Sequence, residues 1–383
     1  MTTRKGDVRS DLERLVAFDS VSSRPMADLA AHVAQGCEDL GFRTELFPDA
    51  THPGKATVVA SIGPDTGREG LLVSGHLDVV PTEGQPWTSD PFRMVERDGR
   101  LYGRGTADMK GFVAATMQAL ARIDRTALRR ALVLVWTHDE EVGCLGSAQV
   151  AAELARRRRI VPRSCLIGEP TGFRVLRMHP GHVGVEIEVR GQAAHSSRPD
   201  LGRNAIVAAA RVIAAIEELG AQLACEHASD LPELDRPFVV LNVGRISGGT
   251  AINIVPDRAV IHLGYRQLPG MADDAPFRRL EAHLAVCGAA ADWSARILRI
   301  TPALLTPAGT SLERVLSRYA SAPEVGAATF ATDGGNLAKL GAEPLVFGPG
   351  SIEVAHMADE YVPVADLFRA VDVVEEIVRA VCV

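Results

Sequence analysis

Apolar positions fall into two textures along the chain. Between residues 7 and 40, Leu12, Leu15 and Val16, then Leu29, Val33 and Leu40, recur at helical spacings. The pattern predicts amphipathic helices over 7–20 and 25–40, the second ended by Gly41. Short apolar runs follow at 42–47, 56–62 and 71–73, with the turn signal Gly63-Pro64-Asp65 between the last two. Asp98-Gly99 predicts a hairpin joining 94–97 to 100–102, and 111–123 reads as a helix. The continuous apolar run 131–136 has the character of a strand buried on both faces. A helix over 145–157 and a second buried strand over 164–167 come next. Helix alternating with buried strand predicts an α/β domain with a mostly parallel sheet covered on both sides.

At Gly181 the texture changes. Residues 183–190 alternate apolar and polar, as a strand with one wet face does. A helix over 205–219, strands over 238–246 and 255–265, a helix over 276–286 and a strand over 294–300 complete a β-α-β-β-α-β order, the split βαβ, ferredoxin-like α+β arrangement. A helix over 311–319, a buried strand over 344–347 and a closing helix over 364–381 then restore the first texture. The expected organisation is a discontinuous domain, 1–180 with 302–383, interrupted by an inserted domain at 181–301. A chain of 383 residues is long enough for two cores.

Composition excludes several function classes. A net charge of −7 leaves no basic surface for nucleic acid. No run of about 18 apolar residues is present for a membrane span, and residues 1–7 lack the apolar core of a signal peptide. The expectation is a cytoplasmic protein with neither a nucleic-acid nor a membrane partner. Six cysteines without CxxC spacing suggest neither a disulfide framework nor a thiolate zinc site. The run Arg156-Arg157-Arg158-Arg159 reads as a solvated helix C-terminus, favoured there by the helix dipole.

Candidate chemistry collects where apolar runs stop. His76 and Asp78 follow the run at 71–73, with Gly75 read as a turn; residues i and i+2 share a face, so Asp78 is placed to orient the His76 ring. Asp108 lies between a hairpin and a helix, Glu140 and Glu141 follow the strand at 131–136, Glu169 follows 164–167, and His356 lies past 344–347. Each has an ordinary alternative: Asp108 as a helix cap, Glu140-Glu141 as a solvated turn, Glu169 as a loop entry. A cap explains one of them, not five. Ligand sites of open α/β sheets gather at strand ends, and two histidines with several carboxylates suit Zn²⁺, Co²⁺ or Mn²⁺.

Six ordered motifs carry a resemblance. GHLDVVP at 75–81, GRGTADMKG at 103–111, DEEVG at 139–143, GEPTG at 168–172, GQAAHSSRPDLGRNA at 191–205 and AHMADEYVP at 355–363 resemble the dizinc metallopeptidases and amidohydrolases of peptidase family M20. That family includes acetylornithine deacetylase, succinyl-diaminopimelate desuccinylase, aminoacylase and glutamate-releasing carboxypeptidases. The resemblance implies two divalent ions, zinc by default, with Asp108 bridging them. His76 and Glu169 would complete one shell, Glu141 and His356 the other. Glu140 would then be the general base, and an unusual peptide link would follow Asp108. It further implies that the inserted domain forms a homodimer, through which His195 reaches the partner's site as an oxyanion donor, and that Asn253 and Arg266 hold the substrate's carboxylate or oxyanion.

The substrate implied is an N-acyl amino acid, with the acetylornithine deacetylase group resembled most, which would make the product ornithine in arginine biosynthesis. Two departures bear on that. Pro180 stands where the group usually carries Lys, and Ala331-Thr332-Asp333-Gly334-Gly335 differs from its usual loop beside the expected substrate pocket, where Thr332 and Gly334 are the expected contacts. Succinyl-diaminopimelate, acetylcitrulline and peptides therefore stay open as substrates. A binding protein with degenerate ligands is opposed by the presence of all five ligands together with Glu140.

Overall fold

The computed structural model of the protein describes residues 7–228, 230–287 and 291–383, so the amino-terminal stretch read for its lack of a signal core lies outside the described residues up to position 6. Packing divides the chain into two compact units. One is the chain up to Arg177 with Thr306–Gly326 and Thr332–Val383; the other is Met178–Leu305 with Ala327–Ala331.

The first unit is built on a twisted sheet with a parallel centre. Strand Gly70–His76 pairs in parallel with Ala131–Thr137 on one side and Ser164–Ile167 on the other, and Ser164–Ile167 pairs in parallel with Glu343–Val346. Antiparallel neighbours extend it: Ala56–Ile62 and then Arg43–Pro48 beyond Ala131–Thr137, and Leu176–His179 beyond Glu343–Val346. All seven residues of Gly70–His76 are buried, as its continuous apolar run requires. The closing helix Val364–Cys382 buries Leu367, Ala370, Val371, Val374, Ile377 and Val378, one stripe at helical spacing, in a core shared with Leu71, Val73, Leu132 and Leu134. Each large side chain so buried stabilises the fold by roughly 1.5–3 kcal/mol. Gly75 makes no turn. It lies within its strand, where an added Cβ would meet Met109 Cε at 2.6 Å, so close packing rather than conformational freedom requires glycine there.

The second unit is a four-stranded antiparallel sheet in the order Val240–Gly248, Arg258–Arg266, His182–Arg190, Asp292–Thr301. Helices Ala205–Ala224 and Ala275–Cys287 cover one face, where Val183, Val185, Ile187 and Val189 pack with Val212, Ile216, Leu219, Leu280 and Leu284. Asn204 caps the first of these helices, its side chain accepting the N–H groups of Ile206 and Val207. The other face is wet and laced with cross-strand pairs, Arg296 to Glu186 at 2.8 Å and Arg258 to Glu188 at 2.7 Å.

Two boundaries differ from expectation. The strand expected over 255–265 is split: Pro256, which has no N–H to give a ladder, separates Ile254–Val255, paired with Ala194–His195, from Arg258–Arg266. Met178–Pro180, 302–305 and Ala327–Ala331, expected in the discontinuous domain, belong to the second unit. Leu304 and Leu305 pair with His179 and Met178, and the Ala328 N–H donates to the Met178 carbonyl, so non-local pairing recruits all three segments.

Candidate active site

The ends of the parallel strands deliver the polar groups. His76 closes its strand and is 1% exposed. Its Nε2 lies 2.9 Å from Asp108 Oδ1 and 3.9 Å from Glu169 Oε1. The second imidazole, His356, meets the other oxygen of the same carboxylate, Nε2 to Asp108 Oδ2 at 3.3 Å, and lies 2.9 Å from Glu141 Oε2. Asp108 thus turns one oxygen to each histidine. Asp108 does not cap the helix Lys110–Ala121, whose N-cap position is Met109 without a side-chain cap bond, and the Asp108–Met109 peptide is cis.

Asp78 does something other than expected. The short contact of His76 Nδ1 is to the backbone carbonyl of Asp78, at 2.9 Å, whereas the Asp78 carboxylate is 3.7 Å away. That carboxylate instead accepts the N–H groups of Glu140 at 3.0 Å and Glu141 at 3.2 Å, and the Ser22 hydroxyl at 2.7 Å. Asp139, just before them, sits at φ 55°, a left-handed conformation costly for a non-glycine residue. Lys55 holds it there: Nζ donates to both Asp139 oxygens at 2.8 and 2.7 Å and to the Ser22 carbonyl at 2.6 Å. Ser22, Lys55 and Asp78 together fix the turn that presents Glu140 and Glu141.

Glu360 fixes the Asp108 loop in the same way. Its Oε1 accepts the N–H groups of Ala107 and Asp108 at 2.9 and 3.0 Å, and Oε2 accepts Gly105 N–H at 3.0 Å and Arg104 Nη1 at 2.7 Å. Glu360, Lys55 and Ser22 were not visible as site residues in the sequence. Only Glu360, as an acid within the AHMADEYVP motif, gave any signal, and it gave no partner.

Electrostatically the site is a buried surplus of carboxylates. Burial, with Asp108 adding repulsion, pushes Glu141 up to about 7. Burial raises Glu169 well above the carboxylate range, and Asp108 reinforces it. Glu140 is raised chiefly by burial, with Glu169, Asp333 and Glu141 adding to the shift against the opposing His76. His356, hydrogen-bonded to Asp108 and Glu141, rises to about 10, and His76 rises against its own burial through its bond to Asp108. Such crowding is unfavourable without cations. Metal ligation needs both imidazoles neutral, so protons and a metal compete for the same lone pairs. The donors fit a pair of divalent ions: two nitrogens and three carboxylates, with His76, Asp108 and Glu141 atoms mutually within 4.8 Å. His356, half-exposed, forms the open side.

The loop at 331–335 packs beside the carboxylates. Thr332 and Gly334 are buried, and the Thr332 hydroxyl accepts the Gly334 N–H at 3.1 Å, a bond that shapes the turn. The residue between them reaches the chemistry. Asp333 accepts the Thr137 hydroxyl at 2.5 Å and stands within 4.8 Å of Glu140 and Cys144. The Cys144 thiol donates to Glu140 Oε1 at 3.3 Å.

In the second unit, His195 is exposed beside Asn253, whose carbonyl accepts the Ser196 N–H at 3.0 Å. The Ser197 N–H donates to His195 Nδ1 at 3.2 Å, which leaves the neutral ring its proton on Nε2. Arg266 lines a cavity of about 430 Å³ with His182, Asn242, His262 and Arg299, floored by Gly184 and Gly264. Burial lowers Arg266, and so does the nearby Arg299.

Comparison with known proteins follows the same outline. The model of peptidase family M20/M25/M40 matches residues 72–380. A Myxococcus xanthus acetylornithine deacetylase is 36% identical over 384 residues, covering 98% of this chain and 97% of its own. The M20 family metallo-carboxypeptidase Sso-CP2 from Sulfolobus solfataricus superposes with a TM-score of 0.79 at 20% identity, over 98% of this chain and 99% of that one. A Bacillus subtilis protein described as a dinuclear metal-binding M20 peptidase gives 0.70 at 14% identity, over 98% and 97%. At such identities the structures share the fold with this chain.

Proposed function

The chain belongs to peptidase family M20/M25/M40, and from that premise we propose that it hydrolyses the amide bond of an N-acyl amino acid at a dinuclear metal centre. The observation that carries this is Asp108, whose two oxygens each face one of two histidines, as a carboxylate bridging two cations must. His76 and Glu169 would hold one ion, Glu141 and His356 the other. Zinc suits this donor set, with cobalt or manganese as replacements. When bound, such ions polarise an amide carbonyl and bring a water's pKa towards neutrality.

The remaining work falls to the chain's own groups. Glu140, with its pKa raised by burial, takes a proton from the attacking water and delivers it to the leaving amine. Asp78 holds the backbone of Glu140 so that its side chain and that of Glu141 diverge. His195 offers its Nε2 proton to the developing oxyanion. Arg266, in its cavity, takes the carboxylate of the amino-acid part, and Asn253, beside His195, takes the oxyanion.

N-acetylornithine is the proposed substrate, supported by the 36% identical deacetylase. We further propose a homodimer through the second unit. Its edge strand Val240–Gly248 has an open hydrogen-bonding side, and Ile206, Val207, Ile246, Ile252 and Ile254 are exposed on the same unit, a surface that a second copy would cover. No described helix is long and apolar enough to cross a membrane; a cytoplasmic location belongs to this reading as well.

The deciding experiment compares kcat/KM for N-acetylornithine, N-acetylcitrulline, N-succinyl-diaminopimelate, simple acetyl amino acids and a dipeptide, before and after chelation. Preference for acetylornithine, abolished by chelator and restored by Zn²⁺, is expected. Activity that survives removal of all metal overturns the reaction class, and preference for the dipeptide overturns the substrate.

A further inference from the structure

Within the second unit, three side chains that the reaction does not use converge on the outside of its helical layer. His283 and Cys287 lie four residues apart on helix Ala275–Cys287, so they share a face one turn apart. Glu218 projects from the packed neighbour, helix Ala205–Ala224. One ligand atom from each, an imidazole nitrogen, a thiol sulfur and a carboxylate oxygen, lies within 4.8 Å of the others. His283 Nε2 is 4.0 Å from Glu218 Oε2, too far for a hydrogen bond. That nitrogen is nonetheless shut off from water and has no hydrogen-bond partner.

A buried imidazole nitrogen without a partner is costly. A cation would supply the missing partner. Zinc takes nitrogen and oxygen at about 2.0–2.2 Å and sulfur at about 2.3 Å, which sets tetrahedral ligands roughly 3.5 Å apart. The His283–Glu218 spacing of 4.0 Å stands close to that value. Leu280 and Leu284 on the same helix are fully buried, so the backbone that carries His283 and Cys287 is held by the core of the unit.

We propose that Glu218, His283 and Cys287 form a third metal site, for a zinc-class ion with nitrogen, sulfur and oxygen ligands and a fourth position open to water. Binding there displaces the Cys287 thiol proton to solvent and makes the thiolate a ligand. The site ties the two helices of the unit together and is independent of the proposed hydrolytic centre.

The test uses the full chain and the metal alone. After equilibration with buffered Zn²⁺, Cys287→Ser and His283→Ala should each bind one ion fewer than wild type while keeping wild-type hydrolytic rates. With Co²⁺ in place of zinc, wild type should show a near-ultraviolet sulfur-to-cobalt charge-transfer band that Cys287→Ser lacks. Equal zinc stoichiometry in wild type and both variants overturns the site. A readout on unmodified protein covers variants that do not fold. Cys225 and Cys287 are both exposed, and Zn²⁺ should slow alkylation of Cys287 but not of Cys225, as mapped by mass spectrometry. No protection, or equal protection of both thiols, also overturns it.

Discussion

Asp78 grips Glu140 by its backbone: Oδ1 accepts the Glu140 N–H at 3.0 Å, while its other oxygen accepts the Glu141 N–H at 3.2 Å. One carboxylate therefore sets the position of both glutamates. An amide in its place presents an NH₂ to one of these donors. Asp78→Asn is expected to fold normally and to lose about 10–100-fold in kcat/KM or metal affinity. Unchanged kinetics with unchanged metal content would show that the turn holds itself.

Glu140 is the proton carrier in the proposed reaction, which leaves it outside the ligand set. Glu140→Ala should keep the wild-type metal content by elemental analysis and lose roughly 10²–10⁴-fold in kcat. A metal-loaded variant with a near-normal rate would remove Glu140 from the mechanism.

Glu360 and Arg104 are both about 1% exposed and paired at 2.7 Å. Glu360→Leu leaves the guanidinium buried without its partner and frees three N–H groups of the Asp108 loop, for an expected loss of roughly 3–5 kcal/mol. Replacing both residues by apolar ones should recover stability without recovering activity, since the loop still lacks its acceptor. Urea melts read the first effect and turnover the second.

If His195 serves the partner's site, inactive His195→Ala and inactive Glu140→Ala subunits, once mixed, should regain part of the wild-type rate. Proven subunit exchange without recovery would place the His195 action within its own chain or remove it altogether.

His179 supplies a pH dependence outside the metal site. Burial lowers it to about 4, and the nearby Arg266 adds to the shift against a hydrogen bond to the Pro180 carbonyl. Unfolded histidine titrates near 6.5, so between these values the unfolded chain binds more protons than the folded one. Stability is then present above about 6.5 and lost as pH falls to about 4, on the order of 3 kcal/mol in all. His179→Asn, which retains a donor for Pro180, should flatten that slope in denaturant melts from pH 7 to pH 4. A slope identical to wild type would assign it to other groups.

Why some of this was legible in sequence and some not follows from range. His76, Glu141 and Glu169 were readable because each stands where a buried apolar run stops, a local signal. Asp78 was readable as a supporting residue, but its partners were not: the two-residue spacing pointed to His76, whereas the turn at Glu140 is brought to it by parallel pairing of their strands. Lys55 and Glu360 depend on partners 84 and about 250 residues away, and no local pattern encodes such contacts. Asp333 gave no signal in the divergent loop at 331–335, because its bond to Thr137 spans 196 residues.

The dependence of Asp108 on Glu360 also has a temporal meaning. The segments that carry His76, Asp108, Glu141 and Glu169 are all synthesised before His356 and Glu360 exist, and the strand Tyr361–Pro363 that docks beside Tyr102 comes later still. A nascent chain on the ribosome therefore holds a half-built centre, with the Asp108 loop unanchored and one histidine missing, until its last segment emerges. On the proposed reading, a fragment ending before residue 356 would lack His356, Glu360 and the closing helix, and could not complete the centre.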